Sequence, residues 1–242
     1  MGWKASMIVI NSGEILPVQE VFDALGYYEL RKVDKQPFEV VMNPDDDRIY
    51  LGQYKGNTII CMQDMPLESL GESVSDAERI LSSQFSNTDI VTFALHSVVN
   101  LWGYSVVHNG KKLRARAGSS EGTTIEYGEM LEEEKELFSI AKKNAKGERI
   151  FVFDDMPEEE FADDQLGENF VFDISTKYFG KSLDDCEELF ETEFQGYTFS
   201  KVKPVVMEPA KPQPAAPVAQ QPTAPEKAVE VVVKKKPWWK FW

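Results

Sequence analysis

Eight of the thirteen prolines fall between Pro204 and Pro237, set among Ala, Gln, Val and Lys. A stretch of that composition cannot bury enough apolar surface to offset the conformational entropy lost on ordering it. This break confines folding to residues 1–203 and predicts a disordered Pro/Ala-rich tether over 204–233. As a flexible coil its ~30 residues span roughly 30 Å, and roughly 90 Å in polyproline conformation. The tether ends in a cationic, aromatic peptide over 234–242: Lys234, Lys235, Lys236, Pro237, Trp238, Trp239, Lys240, Phe241 and Trp242.

The charge is divided at nearly the same place. The whole chain carries a formal net charge of -15. From Lys201 onward there are eight Lys and three Glu, so residues 1–200 hold a net of -20 and the remainder +5. An acidic body of this kind repels nucleic acid and anionic membrane over most of its surface, so nucleic acid is not an expected partner. The basic end has the opposite preference. Two cysteines, Cys61 and Cys186, show neither a disulfide framework nor zinc spacing. No signal-peptide pattern opens the chain, and no apolar run approaches the ~18 residues that span a bilayer. The expected location is cytoplasmic, with peripheral attachment at the inner membrane face through the tail as one option.

Within residues 1–203, hairpin signals outnumber strand-helix-strand crossovers. Ala5–Ile10 reads as a buried strand ended by Asn11-Ser12-Gly13, and Pro17 opens a short helix carrying Val21 and Phe22. Residues 28–42 read as one or two strands broken at Pro37. Residues 49–54 and 58–63 form a hairpin turned at Lys55-Gly56-Asn57. Ser75 with Glu78 is a capping box that opens a helix. Residues 89–96 and 101–107 are strand-like, and Asn109-Gly110 is a strong hairpin turn. A strand over 123–127, a helix over 130–145 and a short strand over 150–153 follow. A Glu-rich helix opened by Pro157, a helix through Phe170, Ile174 and Tyr178 capped by Gly180, and a helix from Ser182 reaching Phe194 come next. A last strand covers 197–202. The order predicts an α+β fold with a mainly antiparallel sheet and helices packed on one face. Residues 1–147 are expected to form the sheet domain, and 148–203 a mostly helical appendage to the same globular unit.

Candidate sites are few. His96 and His108 are the only histidines. His96 is the better catalytic candidate, but no Cys, His or Asp set at metal or triad spacing accompanies it, and a packed strand histidine is the plainer reading. Lys112, Arg114 and Arg116 recur at period two, which places them on one sheet face. Such a basic stripe on an acidic body suits either an anionic ligand or the chain's own carboxylates, such as Glu126. Asp45-Asp46-Asp47 lacks the spacing of a calcium loop, and Gly118–Thr124 lacks the Gly-Lys-Ser/Thr of a phosphate loop. The residues name no cofactor and no metal, and they set no oligomeric state. Three of the five tryptophans lie in the last five residues, where no core can absorb them. Trp beside Lys suits either a pocket on a protein partner or the headgroups of an anionic membrane. The expected function is therefore a non-enzymatic binding or adaptor protein docked through this peptide. The alternative is an enzyme with a site near His96 and the basic stripe.

The opening Met1-Gly2-Trp3-Lys4, the segment Leu95-His96-Ser97-Val98-Val99 with Trp102-Gly103-Tyr104, and Gly110 followed by Leu113-Arg114 resemble an uncharacterised bacterial family. Its members open with Met-Gly-x-Lys and carry a Leu-His-Ser-Val-Val-like strand before a glycine-containing hairpin. The resemblance covers roughly the first 145 residues and implies no known activity.

Overall fold

The computed structural model describes residues 2–14 and 16–203. The tether and terminal peptide expected over 204–242 lie outside the described residues. Nine strands form one sheet in the order β2-β12-β3-β4-β1-β5-β6-β7-β8, and every neighbouring pair is antiparallel. The strands are β1 (Lys4–Ile10), β2 (Tyr28–Pro37), β3 (Arg48–Tyr54), β4 (Asn57–Cys61), β5 (Asp89–His96), β6 (Leu101–His108), β7 (Lys111–Ser119), β8 (Gly122–Gly128) and β12 (Glu193–Ser200). A second, three-stranded sheet holds β9 (Ala141–Lys143), β10 (Arg149–Phe151) and β11 (Phe161–Ala162). The fold is α+β, as the hairpin signals require.

The hairpin turns form where the sequence places them. Lys55-Gly56 and Asn109-Gly110 all adopt positive φ, which matches the right-handed twist of the strands they join. Ser75 and Glu78 form the reciprocal capping box that opens α4 (Asp76–Gln84). Gly180, in the left-handed region, ends α6 (Gly167–Phe179).

Helices cover both faces of the sheet, not one. Successive residues of β1 divide between two cores: Ala5, Met7 and Val9 enter one, and Ile8 and Ile10 the other. The first core is closed by α2 (Phe38–Val41), α5 (Lys135–Ser139), α6 and α7 (Glu187–Phe190). The second is closed by α1 (Val18–Ala24), α3 (Asp64–Ser69) and α4. A central strand enclosed by helices on both sides loses the buried–exposed alternation of a one-sided sheet, and β1 from Ala5 onward and β4 throughout are continuously buried for that reason, Ser6, Asn57 and Thr58 included.

Residues 148–203 do not sit beside the sheet as an appendage. They supply β12, which is inserted between β2 and β3, and α6, which carries five residues of the first core. Four local expectations also give way to tertiary contacts. The segment after Pro37 is a single helical turn, α2. The helix expected over 130–145 is a 3-10 turn (Glu132–Glu134) and α5, after which the chain turns to pair β9 with β10. No helix forms after Pro157, and Phe194 belongs to β12, not to the helix before it. No described helix is long and apolar enough to cross a membrane.

Helix α6 begins against the indole of Trp102, which is fully buried on β6. A Cβ on Gly167 would lie 2.1 Å from ring atoms of Trp102. Substitution Gly167→Ala is expected to cost about 2–3 kcal/mol, because the rigid ring and the helix start cannot both keep their places. Urea denaturation of the variant against the parent chain measures this.

Candidate functional site

The three cations of β7 are the most unusual feature of the sheet, because all are buried. Lys112, Arg114 and Arg116 are 4%, 3% and 0% exposed. They do not share one face. Arg116 pairs with Tyr104 and Arg114 with Val106, but Lys112 pairs with Val107, so Leu113 is an extra residue bulged out of the ladder. The bulge turns Lys112 onto the face of α3 and α4 and leaves Arg114 and Arg116 on the opposite face. Period two fails here because one inserted residue reverses the side of everything before it.

On the first of these faces, the Lys112 ammonium donates to Glu78 Oε1 at 2.8 Å, to Ser105 Oγ at 2.9 Å and to the Ser69 carbonyl at 2.8 Å. Burial lowers the Lys112 pKa, and the Glu78 carboxylate pulls against that shift. Glu78 serves two elements at once. Its Oε2 accepts the Ser75 N–H at 2.8 Å and caps α4, while its Oε1 holds Lys112 and the Ser105 hydroxyl.

Glu134 does the same on the other face. Its Oε2 accepts the Leu131 N–H at 2.7 Å and so fixes the turn before α5. Arg114 donates to it from Nε at 3.0 and 3.1 Å and from Nη2 at 2.7 Å, and the Tyr104 hydroxyl donates at 2.5 Å. Burial and the adjacent Glu134 charge push the Tyr104 hydroxyl far above its usual range. Burial alone would lower Arg114, but its bonds and charge interaction with Glu134 outweigh this and raise it. Arg114 Nη1 also donates to the Gly128 carbonyl at 3.0 Å, tying β7 to the end of β8.

Arg116 is held differently. Its Nη2 donates to Asp163 Oδ1 at 2.6 Å, while Nε and Nη1 have no hydrogen-bond partner among the described residues. The guanidinium instead lies over aromatic rings, 4.2 Å from the centroid of Phe170, 4.9 Å from Phe138 and 5.2 Å from Trp102. The negative ring faces take the place of acceptors. Arg149 joins this group through Glu126 at 3.1 Å and Asp163 at 3.2 Å. Burial would raise the Glu126 carboxyl, but the Arg149 bond and the charges of Arg116 and Arg149 hold it below its usual range. Three arginines thus face three carboxylates: Arg114, Arg116 and Arg149 against Glu126, Glu134 and Asp163.

Beside the bulge lies an open groove of ≈ 400 Å³ between Lys111–Leu113 and Tyr127–Leu131. Its rim exposes Leu113, Tyr127 and Met130. Gly128 adopts a φ of +82°, and a Cβ there would fall 1.9 Å from the Leu113 carbonyl oxygen. The bulged strand and the end of β8 therefore meet backbone to backbone.

His96 lies elsewhere. It ends β5, opposite Lys4 and Leu101, and β6 separates it from β7. Its Nδ1 is buried without a partner among the described residues. Ser97 beside it anchors the chain start, accepting the Trp3 N–H at 2.6 Å and donating to Glu168. The structure therefore does not bring His96 together with the basic residues. His108 pairs with Asp89 at 2.7 Å, which also accepts from Lys177 and Tyr178. Burial would raise the Asp89 carboxyl, but the His108 bond and the Lys177 charge outweigh it and lower it. Cys61 and Cys186 are buried and unpaired, and burial pushes the Cys61 thiol up. Among the described residues no group of three His, Cys, Asp or Glu is placed to hold a metal ion. Lys234, Lys235, Lys236, Trp238, Trp239, Lys240, Phe241 and Trp242 lie outside the described residues.

Sequence reasoning named Glu126 as a partner for the stripe but missed Glu134, Asp163 and Tyr104. Glu134 sits in a run of three glutamates, Glu132 to Glu134, and only the register of the following turn selects it. Two outcomes are expected. Glu134→Ala, which strands the buried Arg114 charge, should cost about 3–5 kcal/mol in chemical denaturation. Asp173 on α6 behaves oppositely: burial, then Glu136 and Asp184, raise its carboxyl pKa to about 6. A carboxyl raised on folding favours the folded state while protonated, and that contribution is lost as pH rises from about 4 through 6. Asp173→Asn should therefore stabilise the protein at pH 7–8, by about 1 kcal/mol after screening at this half-exposed position, and give no gain near pH 4. Denaturation midpoints at the two pH values check the sign.

No curated protein and no solved structure matches this chain. The model of a family of unknown function, DUF6928, matches residues 20–178. That span takes in the capping box of α4, all of β5 to β8 and nearly all of α6, and it leaves out Met1-Gly2-Trp3-Lys4 and β12. Glu78, Lys112, Arg114, Arg116, Glu134 and Asp163 all fall inside it, and on a match covering more than half of its length this chain belongs to that family of unknown function.

Proposed function

We propose that the protein is a non-enzymatic binding or adaptor protein whose terminal peptide docks on a protein partner or an anionic membrane surface. The observation that carries this reading is the peptide itself. Four Lys and four aromatic residues occupy the last nine positions of a chain whose first 200 residues hold a net charge of -20. The cations of the body support the same division of labour. Lys112, Arg114 and Arg116 are consumed by internal carboxylates, so they are not available to an outside anion. The acidic groups that remain on the surface repel an anionic partner, and the terminal peptide is left to make that contact. The enzymatic alternative near His96 and the stripe would require those groups to converge, and β6 stands between them.

Each Lys near an anionic leaflet contributes about 1 kcal/mol, and Trp prefers the headgroup level. Co-sedimentation of the full chain with anionic and neutral vesicles, against a Trp238→Ala/Trp239→Ala/Trp242→Ala variant, tests the proposal. Aromatic-dependent binding that needs anionic lipid and fades with salt places the docking surface on a membrane. Without vesicle binding, the terminal peptide should instead retain a protein partner in a pull-down that the triple variant fails. Loss of both interactions would sink the adaptor reading.

A further inference from the structure

We draw no further inference here: the strongest candidate, the open groove beside the Leu113 bulge with Leu113, Tyr127 and Met130 exposed on its rim, is an apolar surface for which nothing in the structure shows what covers it.

Discussion

The architecture depends on burying three cations on one strand and matching each with a carboxylate from the layer above it. A charge removed from water costs several kcal/mol, and the cost is recovered only when geometry and hydrogen bonding are nearly complete. Lys112 and Arg114 meet that condition through Glu78 and Glu134, which also cap the turns that bring them in. The pairing therefore does more than neutralise charge. It fixes where α4 starts above one face of β7 and where the chain before α5 settles on the other. Arg116 meets it with one carboxylate and three aromatic rings, and so ties Asp163 and the start of α6 to β6 and β7.

Sheet and helices are coupled through the bulge at Leu113. One extra residue on β7 sends Lys112 to the α3 and α4 face and keeps Arg114 with the aromatic core. Had the ladder stayed regular, Lys112 and Arg114 would have shared a face. Glu78 would then have been left buried beneath α4 without its cation. The bulge also opens the groove at Tyr127 and Met130 and brings Gly128 against the Leu113 backbone. The same local irregularity thus serves the interior ion pairs and shapes the surface beside the open strand.

Burial of the basic residues sharpens the polarity of the molecule. The body carries far more Asp and Glu than Lys and Arg, and part of its small basic complement is spent inside. Its outer surface is correspondingly acidic, while the Lys and Trp of the chain end are separated from it in sequence by the Pro-rich stretch. A division between an anionic body and a cationic aromatic end follows from composition, and the fold reinforces it by hiding the body's own cations.

Local chemistry alone determined a good deal. The Asn109-Gly110 and Lys55-Gly56 turns, the Ser75–Glu78 capping box, the Gly180 cap and the antiparallel α+β class all rest on backbone preferences and short-range hydrogen bonds that act within a few residues. The compositional break at Pro204 is likewise read from the sequence, and the residues after it lie outside the described ones. Only the tertiary structure decided the rest. It covered both sheet faces, inserted β12 between β2 and β3, ended the expected helix after Ser139 in favour of the β9–β10 pairing, and chose Glu134 from three adjacent glutamates. Each of those outcomes turns on partners distant in sequence, and the stripe of β7 was misread for the same reason. Period two describes a regular strand, and whether one residue bulges out is settled by which arrangement leaves the fewest buried charges unpaired.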